Sequence, residues 1–345
     1  MQKTYRRCGV GAAALLTIGS LQACSGNNGE VGEAACEDPW RVAHASPSAR
    51  ASAAIIAEKE GFFERNGVSI KSQKNFEGDA QVAQVLQAGQ ADVGLLGVYP
   101  VISALGSGRN LTMIGLVNST PSDMVVTGAD VKSPEDLDGG VVAINDFGGD
   151  AHQSVFLGLK EIGVDIDSLT FTQVGDEAAR LAAVTGGSAQ AAPVDNAIRD
   201  QVEERGLNVL VDLGEVDATA ARFGVVISED LAKACPEKAT AFLRSIAEGF
   251  SVIMTDEKTA GPIFADWVGL PENEAEEQII LARKSLDNQQ CFQLRKEAFE
   301  NSRDFMALSE PDLKDLDVSK VYTTEYVDQL VEDGVFEELG LTCKE

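Results

Sequence analysis

The feature that most constrains this chain is a rhythm: short apolar runs alternate with helix-patterned stretches, and the whole alternation occurs twice. Trp40–His44 reads as a strand and leads into Ala45-Ser-Pro-Ser-Ala-Arg50. Ala51–Phe63 then has the three-and-four spacing of a helix, stopped by Asn66-Gly67. Val68–Lys71 begins a second strand, and Phe76-Glu-Gly-Asp79 turns into a helix over Ala80–Ala88. Val93–Leu96 is a continuously apolar strand, Gly97-Val-Tyr-Pro100 opens the next helix, and Leu111–Val117 is a fourth strand.

The second set starts at Ser133-Pro-Glu-Asp136, where an N-cap serine, a proline and an acid three residues on make a helix-start signature. Strands follow at Val141–Ile144, Leu169–Val174, Ala189–Val194 and Leu207–Leu213, with helices from Gly148-Gly-Asp-Ala-His152 to Ile162 and over Glu177–Val184. Phe223–Ser228 reads as a strand returning to the first set. From Asp230 the pattern is helical and acidic. Strands alternating with helices imply parallel pairing with helices on both sheet faces, an α/β class with a helical C-terminal segment.

Charge excludes some partners. Of 345 residues, 28 are Lys or Arg and 55 are Asp or Glu, for a net charge of −27. Nucleic-acid binding depends on cations that neutralise phosphate, and no basic stripe follows the first seven residues. The same deficit argues against electrostatic adhesion to an anionic bilayer.

Lys3, Arg6 and Arg7 precede an apolar stretch, Val10–Leu21, too short to span a membrane and placed as in a secretory signal. Leu21-Gln-Ala-Cys24 resembles a bacterial lipobox. That resemblance implies cleavage before Cys24, acylation of its sulfur, and an extracytoplasmic protein whose N-terminal lipid is its sole contact with the membrane. A signal over 1–23 and a tether over 24–36, rich in Gly, Asn and Glu, are expected. Cys36, Cys235, Cys291 and Cys343 remain, an even number suited to an oxidising compartment. Three pairings are possible. The usual proximity of chain termini favours Cys36–Cys343, which leaves Cys235–Cys291.

Three stretches carry a family resemblance in their order and spacing: Ala57-Glu-Lys-Glu-Gly-Phe-Phe-Glu-Arg-Asn-Gly67, Leu86-Gln-Ala-Gly-Gln-Ala-Asp-Val-Gly94 and Ser133-Pro-Glu-Asp-Leu-Asp-Gly-Gly-Val-Val-Ala143. Together they resemble the nitrate/sulfonate/taurine group of solute-binding proteins, the extracytoplasmic receptors of ABC importers. Gly140 stands where that group usually has Lys, and Ala191-Ala-Pro-Val-Asp-Asn196 lacks the aromatic of the corresponding segment. The resemblance runs from about Trp40 to Tyr326. It implies a two-lobed periplasmic-binding fold of the second type, with two mixed or parallel sheets and crossings near Asp123–Val125 and Arg222–Gly224. Lobe I would comprise 37–124 and 223–345, and lobe II 125–222. A small solute, a permease and its ATPase would be the partners, and the chain would act as a monomer without a cofactor.

Open parallel sheets bind ligands beyond the carboxyl ends of their strands, where helix N-termini direct unsatisfied N–H groups at the ligand. The candidate ligand residues are therefore Ser46, Ser48 and Arg50 after the first strand, and Phe76, Glu77 and Gly78 after the second. Gly97, Val98 and Tyr99 follow the third and Asn118 ends the fourth; Gly148, Gly149, Asp150, His152 and Asp195 belong to the second set. Each has a plainer alternative: the serines and Asp150 as helix caps, Arg50 as a solvated cation, Tyr99 as core. Helix N-termini and Arg50 favour an anion, whereas Glu77, Asp79, Asp150 and Asp195 favour an ammonium; a zwitterion such as taurine satisfies both.

Catalytic and metal constellations are not indicated. The two histidines, His44 and His152, have no acid or cysteine at ligand spacing, and no nucleophile elbow or phosphate loop follows a strand. The related fold also occurs in pyrimidine-precursor synthases of thiamine metabolism, whose Cys-rich run is absent here. A binder of such a precursor, or of another small amine, is the alternative to a sulfonate receptor.

Overall fold

The computed structural model describes residues 34–343 except 46, 109, 119, 120, 122, 217, 218 and 287–290. The expected signal, the lipidation site Cys24 and Ser46 lie outside the described residues.

Two five-stranded mixed sheets form the framework. The first contains β1 (Trp40–His44), β2 (Ile70–Asn75), β3 (Val93–Gly97) and β4 (Leu111–Asn118). The second contains β5 (Asp123–Thr127), β6 (Val141–Ile144), β7 (Thr170–Gln173), β8 (Ala191–Asp195) and β9 (Asn208–Asp212). The chain then returns, and β10 (Phe223–Ser228) enters the first sheet between β3 and β4. The orders are β2-β1-β3-β10-β4 and β7-β6-β8-β5-β9.

Pairing is parallel where a helix connects successive strands of one sheet, as in β1 with β2 and β3, and β6 with β7 and β8. It is antiparallel for the strands that follow a crossing: β10 against β3 and β4, β5 against β8 and β9. The sheets are therefore mixed, because the two crossing strands enter from the opposite end. The close fit of β10 depends on Gly224, where a Cβ would lie 2.2 Å from the Gly115 carbonyl oxygen.

The first sheet is covered by the helix Pro236–Thr255, which packs on Ala53–Lys59. Gly249 permits that approach: a Cβ there would stand 2.0 Å from the Ala53 carbonyl oxygen. Phe242 is fully buried, its ring centroid 5.0 Å from that of Phe63 and 5.9 Å from that of Trp40. The second sheet buries Val125, Val142, Ile144, Val155 and Leu159 in its own core, and Phe305 from the C-terminal helix Lys296–Ala307 joins that cluster. Phe305 thereby fastens the helical tail to the second lobe, as does Lys160, whose Nζ lies 2.9 Å from Asn301 Oδ1 and 3.0 Å from Asp304 Oδ2.

The disulfides differ from the expected pairs. Cys36 bonds Cys235 and Cys291 bonds Cys343. The N-terminal segment is drawn to the start of the Pro236–Thr255 helix, where Lys238 Nζ binds the carbonyl oxygens of Cys36 (2.9 Å) and Asp38 (2.7 Å) and lies 4.8 Å from the Trp40 ring centre. At the other terminus, Leu341 is buried in the same core as Phe292 and Phe336, whose rings meet edge to face, and this brings Cys343 to Cys291. Each terminus thus follows its own apolar anchor rather than the other terminus.

His44, at the end of β1, is wholly buried with its ring edge on Trp267. Gln73 donates its amide to Ala54 O and Glu58, so its oxygen accepts the His44 Nε2–H at 2.7 Å. Nδ1 has no partner. Burial lowers the His44 pKa from 6.5 to about 4, against the opposing pull of the Gln73 hydrogen bond. The folded state therefore prefers the neutral ring, and its advantage is lost as pH falls from the unfolded pKa toward the folded one. At about 1.4 kcal/mol per pKa unit, the protein should lose about 3 kcal/mol between pH 7 and 4 that a His44→Gln variant does not lose. Urea midpoints of both proteins across that range test this; parallel curves would contradict it.

Candidate functional site

A cavity of about 860 Å³ lies between the two α/β lobes. One wall comes from the helices that follow β2 and β3, through Asp79, Ala83 and Gln87 of Asp79–Gln87 and Tyr99 and Ser103 of Tyr99–Gly106. The opposite wall comes from the second lobe: Phe147 and Gly148 after β6, His152 on the helix Asp150–Glu161, Asp167, and Phe171 on β7. The end of the Lys296–Ala307 helix closes it with Phe305 and Met306, followed by Leu308 and Glu310. Its size is that of an ordinary small-molecule site.

His152 is its polar focus. Gly148 has φ +83°, a conformation glycine adopts freely, and it aims its N–H at His152 Nδ1 over 3.1 Å. Nδ1 therefore accepts and the proton resides on Nε2, which has no hydrogen-bond partner. Aromatic rings surround the imidazole, with centroids 4.8 Å (Phe171), 4.9 Å (Phe305) and 5.6 Å (Phe147) away. Burial pushes the His152 pKa down, with nearby Asp146 acting in the opposite direction. Asn145 Oδ1 and Gln153 Nε2 are also buried without partners. Such atoms are uncommon in folded proteins, and three of them cluster where β6 passes into its helix.

Charged side chains gather where the chain enters the second sheet. Asp123 begins β5 directly opposite Asp195 at the end of β8. Burial raises the Asp123 pKa; Ser154 donates a hydrogen bond to its carboxylate, and Arg222 and Arg180 favour its charged form while Asp195 opposes it. The Arg222 carbonyl accepts from Val98 N–H at 3.0 Å, linking the second crossing to the loop after β3.

Of the residues expected from the sequence, Tyr99, Gly148 and His152 line the cavity. The others with described positions lie at neighbouring strand ends. Ser48 precedes the short helix Ala49–Ser52 without a side-chain capping bond, and the Arg50 guanidinium stands 5.7 Å over the Phe223 ring. Phe76 N–H donates to His44 O, Gly78 N–H to Ala45 O, and Glu77 N–H to Gln81. Gly97 N–H donates to Asp79 at 2.8 Å, and a Cβ on Gly97 would meet that carboxylate at 2.6 Å. Gly149 is similarly closed by Asp146 and Asn145, while Asp195 is exposed and its N–H donates to Glu177 at 2.7 Å. The side chains of Asn118 and Asp150 lie outside the description.

Phe147, Phe171 and Phe305 were not among the expected residues, nor were Asp123 and Arg222. Phe147 carried a readable signal, an aromatic beside paired glycines after a strand. Phe171 lies on a mostly polar strand and Phe305 on a distant amphipathic helix, so neither did.

Among the described residues, no group of three or more His, Cys, Asp or Glu is placed to hold a metal ion, and no helix is long and apolar enough to cross a membrane.

No curated protein matches the chain. Its structure is similar to a periplasmic sulfonate-binding protein SsuA from Methylobacillus flagellatus KT, with TM-score 0.62 and 17% identity, covering 88% of this chain and 95% of that one. It is also similar to the periplasmic aliphatic sulphonate binding protein SsuA from Escherichia coli, with TM-score 0.58 and 17% identity over 82% and 91%. DSZB in complex with biphenyl-2-sulfinic acid gives TM-score 0.51 and 13% identity over 85% and 99%. These likenesses establish the two-lobed periplasmic-binding fold. The family model described as NMT1/THI5 like matches residues 49–260, which span β2 to β10 and so the whole second sheet and the return strand, and the chain accordingly belongs to the NMT1/THI5-like family.

Proposed function

We propose that the protein is an extracytoplasmic solute-binding receptor of an ABC importer, anchored through Cys24 and delivering its solute to a permease served by an ATPase. The observation that carries this reading is the inter-lobe cavity, lined by His152 with its unpartnered Nε2–H. A solute that fills it touches both lobes and favours the closed form by its differential affinity. The lobes proposed are 37–124 with 223–345, and 125–222, acting in one monomer. The strand-end loops that hold Ser48, Phe76, Gly97, Gly149 and Asp195 complete the cleft in this account.

Binding without turnover is the natural use of such a site. The likeness to the desulfurization enzyme DSZB makes turnover worth excluding directly. Solutes of the sulfonate or taurine type are one arm of the test, supported by what the two SsuA proteins are described as binding. Small amines, thiamine pyrimidine precursors among them, are the other, supported by the acidic side chains at the cavity. A thermal-shift panel of alkylsulfonates, taurine, nitrate and amines should yield at least one compound that raises the melting temperature by mass action and is recovered unchanged. Asp195→Asn should weaken an ammonium-bearing solute about tenfold and leave a plain sulfonate unaffected. A compound recovered chemically altered would overturn the receptor reading.

A further inference from the structure

We infer that the inter-lobe cavity is built for an organic cation with a flat apolar body, an arylalkyl ammonium in chemical class, rather than for a sulfonate anion. This rests on the receptor reading and names the solute that the site would take.

The walls carry the first argument. Tyr99, Phe147, Phe171 and Phe305 all line the cavity, with Phe305 in ring contact with Tyr99 at 5.9 Å. Faces and edges of several rings around one space suit a flat hydrocarbon body, and ring faces attract a cation. Phe147 is 62% exposed and lines the cavity with its ring edge to face against His152.

Charge carries the second. Asp79, Asp167 and Glu310 line the same space, and no Lys or Arg is among the described residues that do. An anion would give up its hydration there with no countercharge to replace it. The net charge of −27 also draws cations toward the protein and repels anions.

His152 carries the third. It is 5% exposed, its Nδ1 is committed to Gly148, and its Nε2–H has no partner. Its burial among rings disfavours the imidazolium, so it offers no positive charge to a sulfonate. What it offers is one neutral donor, suited to a hydroxyl or ether on the ligand.

The test is a series of matched shape on the full chain: 2-phenylethylammonium, 2-phenylethanol and 2-phenylethanesulfonate, with taurine as the ring-free member, by titration calorimetry. The ammonium should bind about tenfold or more tighter than the alcohol, and the sulfonate most weakly of the three. Phe147→Ala, at an exposed position that leaves folding intact, should weaken the ammonium at least threefold. The double variant Asp167→Asn, Glu310→Gln, also at exposed positions, should reduce the preference for ammonium over alcohol while leaving alcohol affinity unchanged. No measurable ammonium binding, or tighter binding of the sulfonate, would overturn the inference. If the sulfonate or taurine binds and contracts the molecule in solution scattering while the ammonium does not, the receptor reading stands and this inference falls. If the ammonium binds tightly and the scattering profile is unchanged, the cavity assignment stands and the receptor reading falls.

Discussion

Replacing Cys36 and Cys235 together by serine should cost about 5 kcal/mol of stability, the largest loss expected from any pair of substitutions here. The bond joins residues 199 apart in sequence. A crosslink across so long a loop removes much conformational freedom from the unfolded chain, and the loop-entropy estimate for this length is about 5 kcal/mol. The Cys291–Cys343 bond closes 52 residues, for which the same estimate gives about 4 kcal/mol. Guanidinium unfolding of the oxidised wild type and the two double-serine variants checks both values; a loss below about 1 kcal/mol for Cys36/Cys235 would contradict the pairing or its energetic role. The bond also has a mechanical consequence. If Cys24 carries the lipid, Cys36–Cys235 joins the tether to the Pro236–Thr255 helix of the first lobe.

Phe242→Ala should be nearly as damaging, at about 4 kcal/mol. Phe242 is fully buried and packs between Phe63 and Trp40, so truncation loses the transfer energy of a ring and two aromatic contacts at once. The cavity left behind is bounded by a helix pair held at fixed separation by Gly249, where collapse is restricted by backbone already in contact. The expected result is a single cooperative transition moved to lower denaturant with an unchanged slope. A midpoint within experimental error of wild type would mean that this contact does not hold the first lobe together.

Much of the architecture was legible because strands buried on both faces leave continuous apolar runs. Val93–Gly97, Leu111–Asn118 and Phe223–Ser228 lie close to the expected positions for that reason. The strand β2, Ile-Lys-Ser-Gln-Lys-Asn, sits at a sheet edge and is mostly polar, so its expected start lay two residues early and its end left no apolar signal. The place of β10 between β3 and β4 is a matter of long-range pairing, which periodicity does not encode. The cysteine pairing was illegible for a related reason: closeness of termini is a tendency, and here Trp40 and Leu341 pull the two ends into separate parts of one core.

At the cavity, Gly148 and His152 could be read because they follow a strand and open a helix, the local pattern that places residues at a cleft. The aromatic character of the site could not. It arises when Phe171 of a polar strand and Phe305 of the C-terminal helix meet His152, residues with no sequence relation to one another. The two tryptophans serve the core instead: Trp40 against Phe242 and Trp267 against His44.

The account depends on two lobes moving together around a bound solute. Small-angle X-ray scattering of the full chain, with and without the tightest-binding member of the ligand panels, tests that movement most directly. A smaller radius of gyration on saturation, reversed when the ligand is dialysed away, is the predicted result. Superimposable profiles at full occupancy would contradict it.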